Sequence, residues 1–256
     1  MHRGWVVGLL QGLVVLAAYA PPASPAPRPI ASTARAAVLA TVELERPVCE
    51  TVVLRAAAEE ELEAVARLQL DVFVPSLDPP PLLPMLTGIY EANQRSVRAG
   101  MRRRLCGDIA TRITRGSDIL VAAVPAACVS PLLAEGAYAE ADERLLGTVD
   151  ISSQEVELPT HSLSSGLYIS HMAVDPAFRR CGLGRRLLEA AEVAARARGA
   201  EGGIYLHVER QNAGARALYE QAGFFRQPET APFLSFTRAL NVQHRDVLLY
   251  HKPLES

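Results

Sequence analysis

The sequence lacks several features that mark common classes of protein. Its 256 residues carry a formal net charge of -2, so no excess of positive charge indicates general binding to nucleic acid. It contains no Cys-x-x-Cys pair, and its four cysteines are far apart, which argues against a zinc site and against a disulfide framework. We therefore expect no bound metal and no nucleic-acid partner. The cysteines are Cys49, Cys106, Cys128 and Cys181.

Acidic residues are also absent from the start of the chain, since none precedes Glu43. Residues 5–20 form an apolar run after a basic start and end in Ala-Tyr-Ala, a pattern typical of a secretory signal peptide. The run is short for crossing about 30 Å of hydrocarbon, which takes about 20 residues. Residues 21–42 are rich in Ala, Pro, Ser and Arg and resemble a plastid transit peptide.

Together these two segments resemble the bipartite presequence of algae whose plastids have additional outer membranes. We expect a signal-like segment at residues 1–20, a transit-like segment and linker at 21–48, and one domain at 49–256. The corresponding address is the plastid (chloroplast), with no stable membrane span after processing. The alternatives are the secretory pathway and an uncleaved membrane anchor followed by a proline-rich linker.

The rest of the chain contains one series of strands and helices. A strand at residues 50–57 precedes two segments with apolar residues at helical spacing, 58–73 and 82–107, the second closing on Gly107. Apolar and β-branched runs then predict three strands, at residues 117–124, 144–153 and 166–174. The remaining elements are a helix ending at Gly199, a strand at 202–210, a short helix at 212–224, and strands at 233–240 and 246–254.

A glycine-containing turn, FRRCGLGRRLL at residues 178–188, joins one of these strands to an alanine-rich helix. The first amides of a helix have no intrahelical acceptors, and glycines let an anion approach them closely. The helix dipole and the flanking arginines add positive charge, so the turn suits a pyrophosphate. By itself the spacing also fits a turn without a ligand. Leu187 replaces the third glycine of a Rossmann fingerprint and no Walker loop is present, which leaves the pattern RxxGxG at Arg179, Gly182 and Gly184.

A second motif follows at residues 204–224, where Asn212 and Tyr219 are spaced to share one face of a helix. With both motifs the chain resembles the GNAT family of N-acetyltransferases, motif A corresponding to residues 167–188 and motif B to 204–224. The resemblance is specific over residues 145–225. It implies an α+β fold with a mixed, mostly antiparallel sheet of about seven strands, a splayed parallel pair and about four flanking helices.

In that family the cosubstrate acetyl-CoA lies where two parallel strands splay apart. The resemblance implies that the backbone of residues 172–174 binds pantetheine, that the amides of residues 182–185 hold the pyrophosphate, and that the N–H of Val174 polarises the thioester. Asn212 would contact pantetheine, and Tyr219 would protonate the departing thiolate. The implied acetyl-CoA residues are Met172, Ala173, Val174, Arg179, Arg180, Gly182, Leu183, Gly184, Arg185, Asn212 and Tyr219.

The general base is implied less directly. Tyr168 and His207, on the two adjacent strands, resemble a catalytic pair of NatE-type N-terminal acetyltransferases that works through water. A histidine, with a reference pKa of about 6.5, suits proton removal near neutrality. Direct attack by the amine needs no covalent nucleophile, so we expect Cys181 only to fill space. The alternative bases are His171, Glu209 and Asp150.

The acceptor amine is not specified by the residues themselves. The chain resembles plastid members of the family that acetylate protein N-termini and lysine side chains, so we expect a protein or peptide α-amine, a lysine ε-amine, or both. A small-molecule amine is one alternative, and a non-catalytic CoA-binding module is another. Retention of Asn212, Tyr219 and the RxxGxG pattern argues against the module. The sequence is compatible with a monomer and with a dimer.

Overall fold

Nine strands and four α-helices lie in the part of the chain that the computed structural model describes. The strands are β1 (Val38–Val42), β2 (Val52–Ala56), β3 (Asp118–Pro125), β4 (Ala139–Glu140), β5 (Glu143–Glu157), β6 (Leu163–Val174), β7 (Ile204–Glu209), β8 (Phe225–Arg226) and β9 (Val247–Lys252). The helices are α1 (Leu62–Phe73), α2 (Pro84–Thr114), α3 (Leu183–Ala197) and α4 (Ala213–Gln221). The described residues are 38–42, 52–74, 84–128, 139–140, 143–157, 163–199, 202–228 and 247–254.

All described strands join one sheet in the order β1-β2-β3-β5-β6-β7-β9-β8, with β4 paired to β5. Neighbouring strands are antiparallel except β6 and β7, which are parallel. The predicted α+β fold, with a mostly antiparallel sheet and one parallel pair, is therefore confirmed. β1 was not expected, and β4 and β8 are two-residue strands, which is why the sheet has more strands than predicted.

The parallel pair splays apart, as predicted. β6 and β7 are paired only from Leu167 opposite Ile204 to Ile169 opposite Leu206, although both strands continue further. Along the remainder of its length β7 pairs only with β9. A cleft therefore opens between β6 and β7 beyond Ile169.

A β-bulge lies in β6 where this cleft begins. Thr148 of β5 pairs with Ala173 and Asp150 pairs with Ser170, so one residue of β5 faces two residues of β6. The first extra position is His171, whose φ of 49° is in the left-handed region. The bulge shifts the alternation of side chains along the strand by one residue from this point on.

Helices cover both faces of the sheet. α1 and the second half of α2 pack on β3 and β5 through buried residues that include Val65, Leu68 and Ile109. α3 and α4 cover the opposite face through Leu187, Leu188 and others. These apolar positions recur at helical spacing, and burial of each such side chain stabilises the fold by about 1.5–3 kcal/mol. We refer to the two surfaces of the sheet as the α1 face and the α3 face.

Helix α2 does not end at Gly107, as the sequence predicted, but continues to Thr114. Gly107 is exposed and a Cβ there would meet nothing within 4 Å, so the helix passes it without a turn. A glycine inside a helix costs only about 1 kcal/mol relative to alanine. Leu105 and Ile109, at 3% and 0% exposure, bury on both sides of it and offset this cost.

Strands extend beyond their predicted ends in two places. β1, at residues 38–42, pairs with β2 inside the segment predicted to be a linker. Its sequence VLATV is largely β-branched, which suits an edge strand. β5 and β6 pair as far as Glu157 and Leu163, into a predicted loop, because ladder hydrogen bonds between adjacent strands need no apolar side chains.

Within the described ranges, no helix is both long enough and apolar enough to cross a bilayer. The predicted signal-like segment at residues 1–20, most of the transit-like segment, and the predicted strand at 233–240 lie outside the described residues.

Candidate active site

Helix α3 begins at the glycine turn. Gly182 is its N-cap, with φ 88°, and its carbonyl accepts the first helical hydrogen bond from the amide of Arg186 at 3.1 Å. No side chain caps the helix. The amides of Leu183, Gly184 and Arg185 have no acceptor within the part of the chain that is described, which follows from their place in the first turn. These amides and the helix dipole form a site for an anion.

The arginines around this turn differ in what they contact. Nε of Arg179 donates to the carbonyl of Val174 at 3.1 Å, so this side chain spans from the turn to the end of β6. Arg180 is exposed and has a left-handed backbone, with φ 63°. Arg185 and Arg186 both bind Glu189 one turn along α3, at 3.0 and 2.9 Å. Glu189 therefore offsets part of the positive charge predicted here.

Gly184 is where α3 comes close to α4 and β6. A Cβ at this position would lie 3.1 Å from Cδ2 of Leu218 and 3.4 Å from Cε of Met172. The second glycine of the RxxGxG pattern thus permits close packing as well as access to the backbone. Only the access to the backbone was predicted from the sequence, because packing between distant segments has no local pattern.

Cys181 is buried and bonded, as expected for a residue that fills space. It is 2% exposed, and its Sγ donates to the carbonyl of Phe178 at 2.9 Å. A thiol in this position cannot meet a substrate without unfolding the turn.

Tyr219 lies on the α3 face of the sheet beside the bulge. It is 8% exposed, and its hydroxyl donates to Sδ of Met172 at 3.9 Å. Burial raises the pKa of Tyr219 to about 12. The ring contacts Phe224 and Tyr250, with centroids 6.0 and 6.5 Å away. The structure thus brings together Met172 and Tyr219, two of the predicted acetyl-CoA residues, and keeps the phenol protonated.

Asn212 is the N-cap of α4, the helix that carries Tyr219. Its Oδ1 accepts from the amide of Ala215 at 3.0 Å. The cap explains the position of this asparagine in structural terms, since Asn is among the preferred N-cap residues. The cap uses only the carbonyl oxygen of this exposed side chain.

Tyr168 and His207 form a hydrogen-bonded pair across the parallel strands. The hydroxyl of Tyr168 lies 2.8 Å from Nδ1 of His207, and the two rings have centroids 5.7 Å apart. Tyr168 belongs to a different packing cluster from its neighbours Leu167 and Ile169, which pack with Tyr219. The predicted base pair and the predicted acid therefore lie on opposite faces of the sheet, with the cleft between them.

The alternative bases have different surroundings. Asp150 is 1% exposed and is bound by the guanidinium of Arg112 and by Nε2 of Gln69 at 3.2 Å. Burial raises its pKa to about 7, against the opposing effect of Arg112. Burial and Arg112 together lower the pKa of His171 to about 3, so His171 is a weak base. Glu209 ends β7.

Arg112 and Gln69 were not anticipated as residues near the site. They lie in α2 and α1, far in sequence from the motif residues that they contact. No spacing in the sequence connects them to Asp150 or His171, because the contacts arise only when the two helices pack on the sheet.

Comparison with known proteins follows the same lines as the geometry. Residues 126–224 match the Acetyltransferase (GNAT) family. Curated protein sequences give no match. A solved GNAT acetyltransferase from Staphylococcus aureus Mu50 is 13% identical, with a TM-score of 0.47, 80% of this chain covered and 99% of that chain. The NatC complex bound to Gag peptide and CoA is 17% identical, with a TM-score of 0.44, 80% of this chain covered and 99% of that chain. PaiA N-acetyltransferase from Thermoplasma acidophilum in complex with coenzyme A is 16% identical, with a TM-score of 0.46, 79% of this chain covered and 99% of that chain.

The splayed parallel pair, the uncapped helix at the glycine turn and the protonated tyrosine beside the bulge are features expected of an acyltransferase that uses a thioester of CoA. The family match covers residues 126–224, less than half of the chain, and it identifies the protein as an acetyl-CoA-dependent N-acetyltransferase. The enzyme class predicted from the sequence is therefore confirmed, and the predicted resemblance to the GNAT family is supported over the matched residues. The family match does not identify the acceptor amine.

Proposed function

We propose that the protein moves the acetyl group of acetyl-CoA to a primary amine of a protein or peptide by direct attack in a ternary complex. The observation that carries this proposal is the cleft between β6 and β7. It opens beyond Ile169, with the uncapped start of α3 and Tyr219 on one face and the Tyr168–His207 pair on the other. The cleft can therefore receive the thioester between an acid and a base.

The cosubstrate is assigned by the kinds of group that line this cleft. The backbone of residues 172–174, no longer paired to β7, is available to the amides of pantetheine. The N–H groups of residues 182–185 suit the pyrophosphate, and the exposed Arg179 and Arg180 add positive charge beside it. The N-cap Asn212 lies at the start of α4, where its side-chain amide can meet the pantetheine arm.

The chemistry needs one proton to leave the amine and one to reach the sulfur. The amine nitrogen attacks the carbonyl carbon of the thioester, and the N–H of Val174 stabilises the oxyanion. The C–S bond then breaks, and the hydroxyl of Tyr219 protonates the thiolate. His207, paired with Tyr168 at 2.8 Å, takes the amine proton through water. No covalent enzyme intermediate forms.

The acceptor that we favour is a protein α-amine or a lysine ε-amine. The support is the Tyr168–His207 hydrogen bond, because a bonded pair at these two positions resembles the pair of NatE-type N-terminal acetyltransferases. A small-molecule amine is the second candidate. The choice between a protein amine and a small-molecule amine depends on residues 75–83 and 229–246, which lie outside the described part of the chain.

The test is an assay of residues 36–256 with acetyl-CoA and a panel of peptides. Each peptide carries a free α-amine, a lysine or both, and mass spectrometry locates the acetyl group while free CoA thiol is measured. The chain contains a single lysine, Lys252, whose Nζ is held by Glu192 at 2.5 Å and by the carbonyl of Ala222 at 2.7 Å. Acetylation of the enzyme itself therefore adds little to the signal.

Acetylated peptide at either amine supports the proposal and decides between the two. Thiol release with small amines and none with peptides would replace the acceptor by a small molecule. Tight binding of CoA without turnover on any amine would leave a CoA-binding module and overturn the enzymatic proposal.

We further propose a plastid address, on the composition of residues 1–42 alone. A fluorescent fusion of residues 1–45 tests it by microscopy in an alga with a complex plastid. Fluorescence inside the plastid supports the proposal, whereas secretion into the medium or retention in the endoplasmic reticulum contradicts it.

A further inference from the structure

Arg112, in the last turn of α2, connects three other elements at the bulge. Its Nη1 donates to Oδ2 of Asp150 on β5 and lies 2.7 Å from Nδ1 of His171 on β6. Gln69 of α1 donates to the other oxygen of Asp150 at 3.2 Å. Asp150 and Gln69 are 1% and 0% exposed. The four side chains form a partly buried polar network, which we call the bulge network: Gln69, Arg112, Asp150 and His171.

The contacts also fix the form of the imidazole. A guanidinium can only donate, so Nδ1 of His171 must accept and the ring is neutral with its proton on Nε2. The hydroxyl of Ser170 lies 3.0 Å from the same Nδ1, and Phe73 of α1 meets the ring edge-to-face with centroids 6.3 Å apart. His171 is thus held from several sides in the left-handed conformation that only the bulge requires.

The bulge decides where the next side chains go. Strict alternation would place Met172 on the α1 face with Tyr168 and Ser170. Instead Ala173 packs in the cluster of α1 and α2, and Met172 packs in the cluster of α3 and α4. In this position Met172 accepts the hydroxyl hydrogen bond of Tyr219 and lies against Gly184. The direction of the backbone that borders the cleft therefore depends on the bulge.

Stability alone does not explain the bulge network. Within the described residues, Oε1 of Gln69, Nη2 of Arg112 and the hydroxyl of Thr148 are buried without a hydrogen-bond partner. A buried ion pair with unsatisfied atoms is often no more stable than apolar residues of the same volume. The network costs desolvation and leaves polar groups unpaired, so a gain in stability does not account for it. The strained residue that it holds is at the start of the cleft.

We propose that Arg112 is a positioning residue for acetyl transfer: by holding Asp150 and His171 it fixes the bulge, and through the bulge it sets the backbone of residues 172–174 for the pantetheine of acetyl-CoA. This inference rests on the proposed function, because it assigns that backbone to the cosubstrate. It also means that the end of α2, which packs on the α1 face of the sheet, is connected to the backbone that borders the cleft.

The test compares CoA affinity and stability in variants of residues 36–256. Arg112→Gln removes the positioning group but leaves a buried carboxylate, which by itself destabilises the fold. The triple variant Gln69→Leu, Arg112→Met and Asp150→Leu removes every member of the bulge network except His171 and fills the same volume with apolar atoms. Arg112→Lys keeps the charge without the fork of the guanidinium. Arg198→Gln is the matched control, because Arg198 is a similarly half-buried arginine whose ion pair is with Asp118, at 2.6 Å, rather than with Asp150 or His171.

Calorimetry of CoA binding is the first measurement, since it needs no acceptor. We expect the triple variant to melt at or above the wild-type temperature and to bind CoA about tenfold more weakly. Arg112→Gln should bind CoA as weakly or more so, Arg112→Lys should recover part of the affinity, and Arg198→Gln should bind normally. With an active acceptor, KM for acetyl-CoA should rise in the same order while kcat changes less.

A triple variant that is folded and binds CoA with wild-type affinity would overturn the inference, because a purely structural network predicts that result. If wild-type protein itself does not bind CoA, the proposed function fails and the inference fails with it. The two failures are therefore distinguished by the wild-type measurement alone.

Discussion

At the scale of single residues, Tyr219 has the properties that an acid for a departing thiolate needs. Its hydroxyl already donates to a sulfur, the thioether of Met172 at 3.9 Å, and burial raises its pKa to about 12. The phenol therefore carries its proton at neutral pH. Its ring is also part of the packing between α4 and the sheet, so the side chain has a structural role that must be separated from the chemical one.

The substitution Tyr219→Phe separates the two roles, because it removes the hydroxyl and keeps the ring. We expect kcat to fall by about 100-fold, the scale of a lost general acid, with CoA affinity unchanged. Tyr250→Phe is the control, since Tyr250 packs against the same ring but its hydroxyl donates to Glu220 at 2.7 Å. Steady-state kinetics and calorimetry give both values. Equal kcat in the two variants would remove Tyr219 from the acid role.

His207 leads to a prediction about pH. Protonation of its imidazole should lower kcat/KM on the acidic side, and His207→Gln should flatten that limb. The pKa of Tyr219 near 12 predicts no corresponding loss of kcat from about pH 8 to about pH 10. A pH–rate profile of the wild type and the His207→Gln variant checks both limbs. An acidic limb that persists in the variant would assign the base elsewhere.

At the scale of elements, the start of α3 is where sequence and geometry agree most directly. The RxxGxG pattern predicts amides without acceptors, and the structure has them, together with a positive φ at Gly182 that only glycine adopts without strain. The second glycine has an additional reason, because α4 packs close to it. Gly184 therefore serves two purposes, an accessible helix start and close packing against α4.

Gly182 allows the anion site to be tested apart from backbone strain. Gly182→Ala introduces strain of about 1–2 kcal/mol, and Gly182→Asp adds a carboxylate at the same place. We expect the aspartate variant to bind CoA at least about tenfold more weakly than the alanine variant, through repulsion of the pyrophosphate.

Gly199→Ala is the matched control for this pair. Gly199 also has a positive φ, 68°, but lies past the other end of α3, where a Cβ would meet nothing within 4 Å. Calorimetry with CoA should show normal binding for Gly199→Ala. Equal affinities for Gly182→Ala and Gly182→Asp would remove the pyrophosphate from this helix start.

At the scale of the whole molecule, the domain begins earlier than its sequence indicates. Residues 38–42 form the edge strand β1, paired with β2 from Val42 opposite Val52 to Val38 opposite Arg55. A presequence cleaved after residue 42 would remove this strand and expose the edge of β2. The mature N-terminus is therefore expected before Val38, which the mass of the processed protein measures.

Truncation tests the same boundary in vitro. We expect a chain that starts at Glu43 to melt at least about 2–4 °C below one that starts at Ala36, the shift for a loss of about 1 kcal/mol in a domain of this size. Scanning calorimetry of the two chains gives the difference. Identical melting temperatures would show that β1 adds nothing to stability, and CoA binding by both chains would confirm that the site itself is intact.

Much of the fold and of the cosubstrate site could be predicted because those features have local causes. Alternation and helical spacing located the strands that flank the cleft, and two spaced motifs located Gly182, Gly184, Asn212 and Tyr219. The misplaced features have non-local causes. The end of α2 beyond Gly107 is set by burial of Ile109 against the sheet, and β1 is a strand only because β2 offers it a partner.

Residue types at fixed spacing were enough to indicate the resemblance to the GNAT family and a helix start that suits an anion, and the parallel pair was implied by that resemblance. The bulge at His171 and the resulting position of Met172 on the face of Tyr219 are visible only in the tertiary structure. The same is true of the contact that Arg112, from a distant helix, makes with the bulge. The physical reason is that a bulge is a mismatch between two strands. It exists in the pairing, and no single segment of the chain contains it.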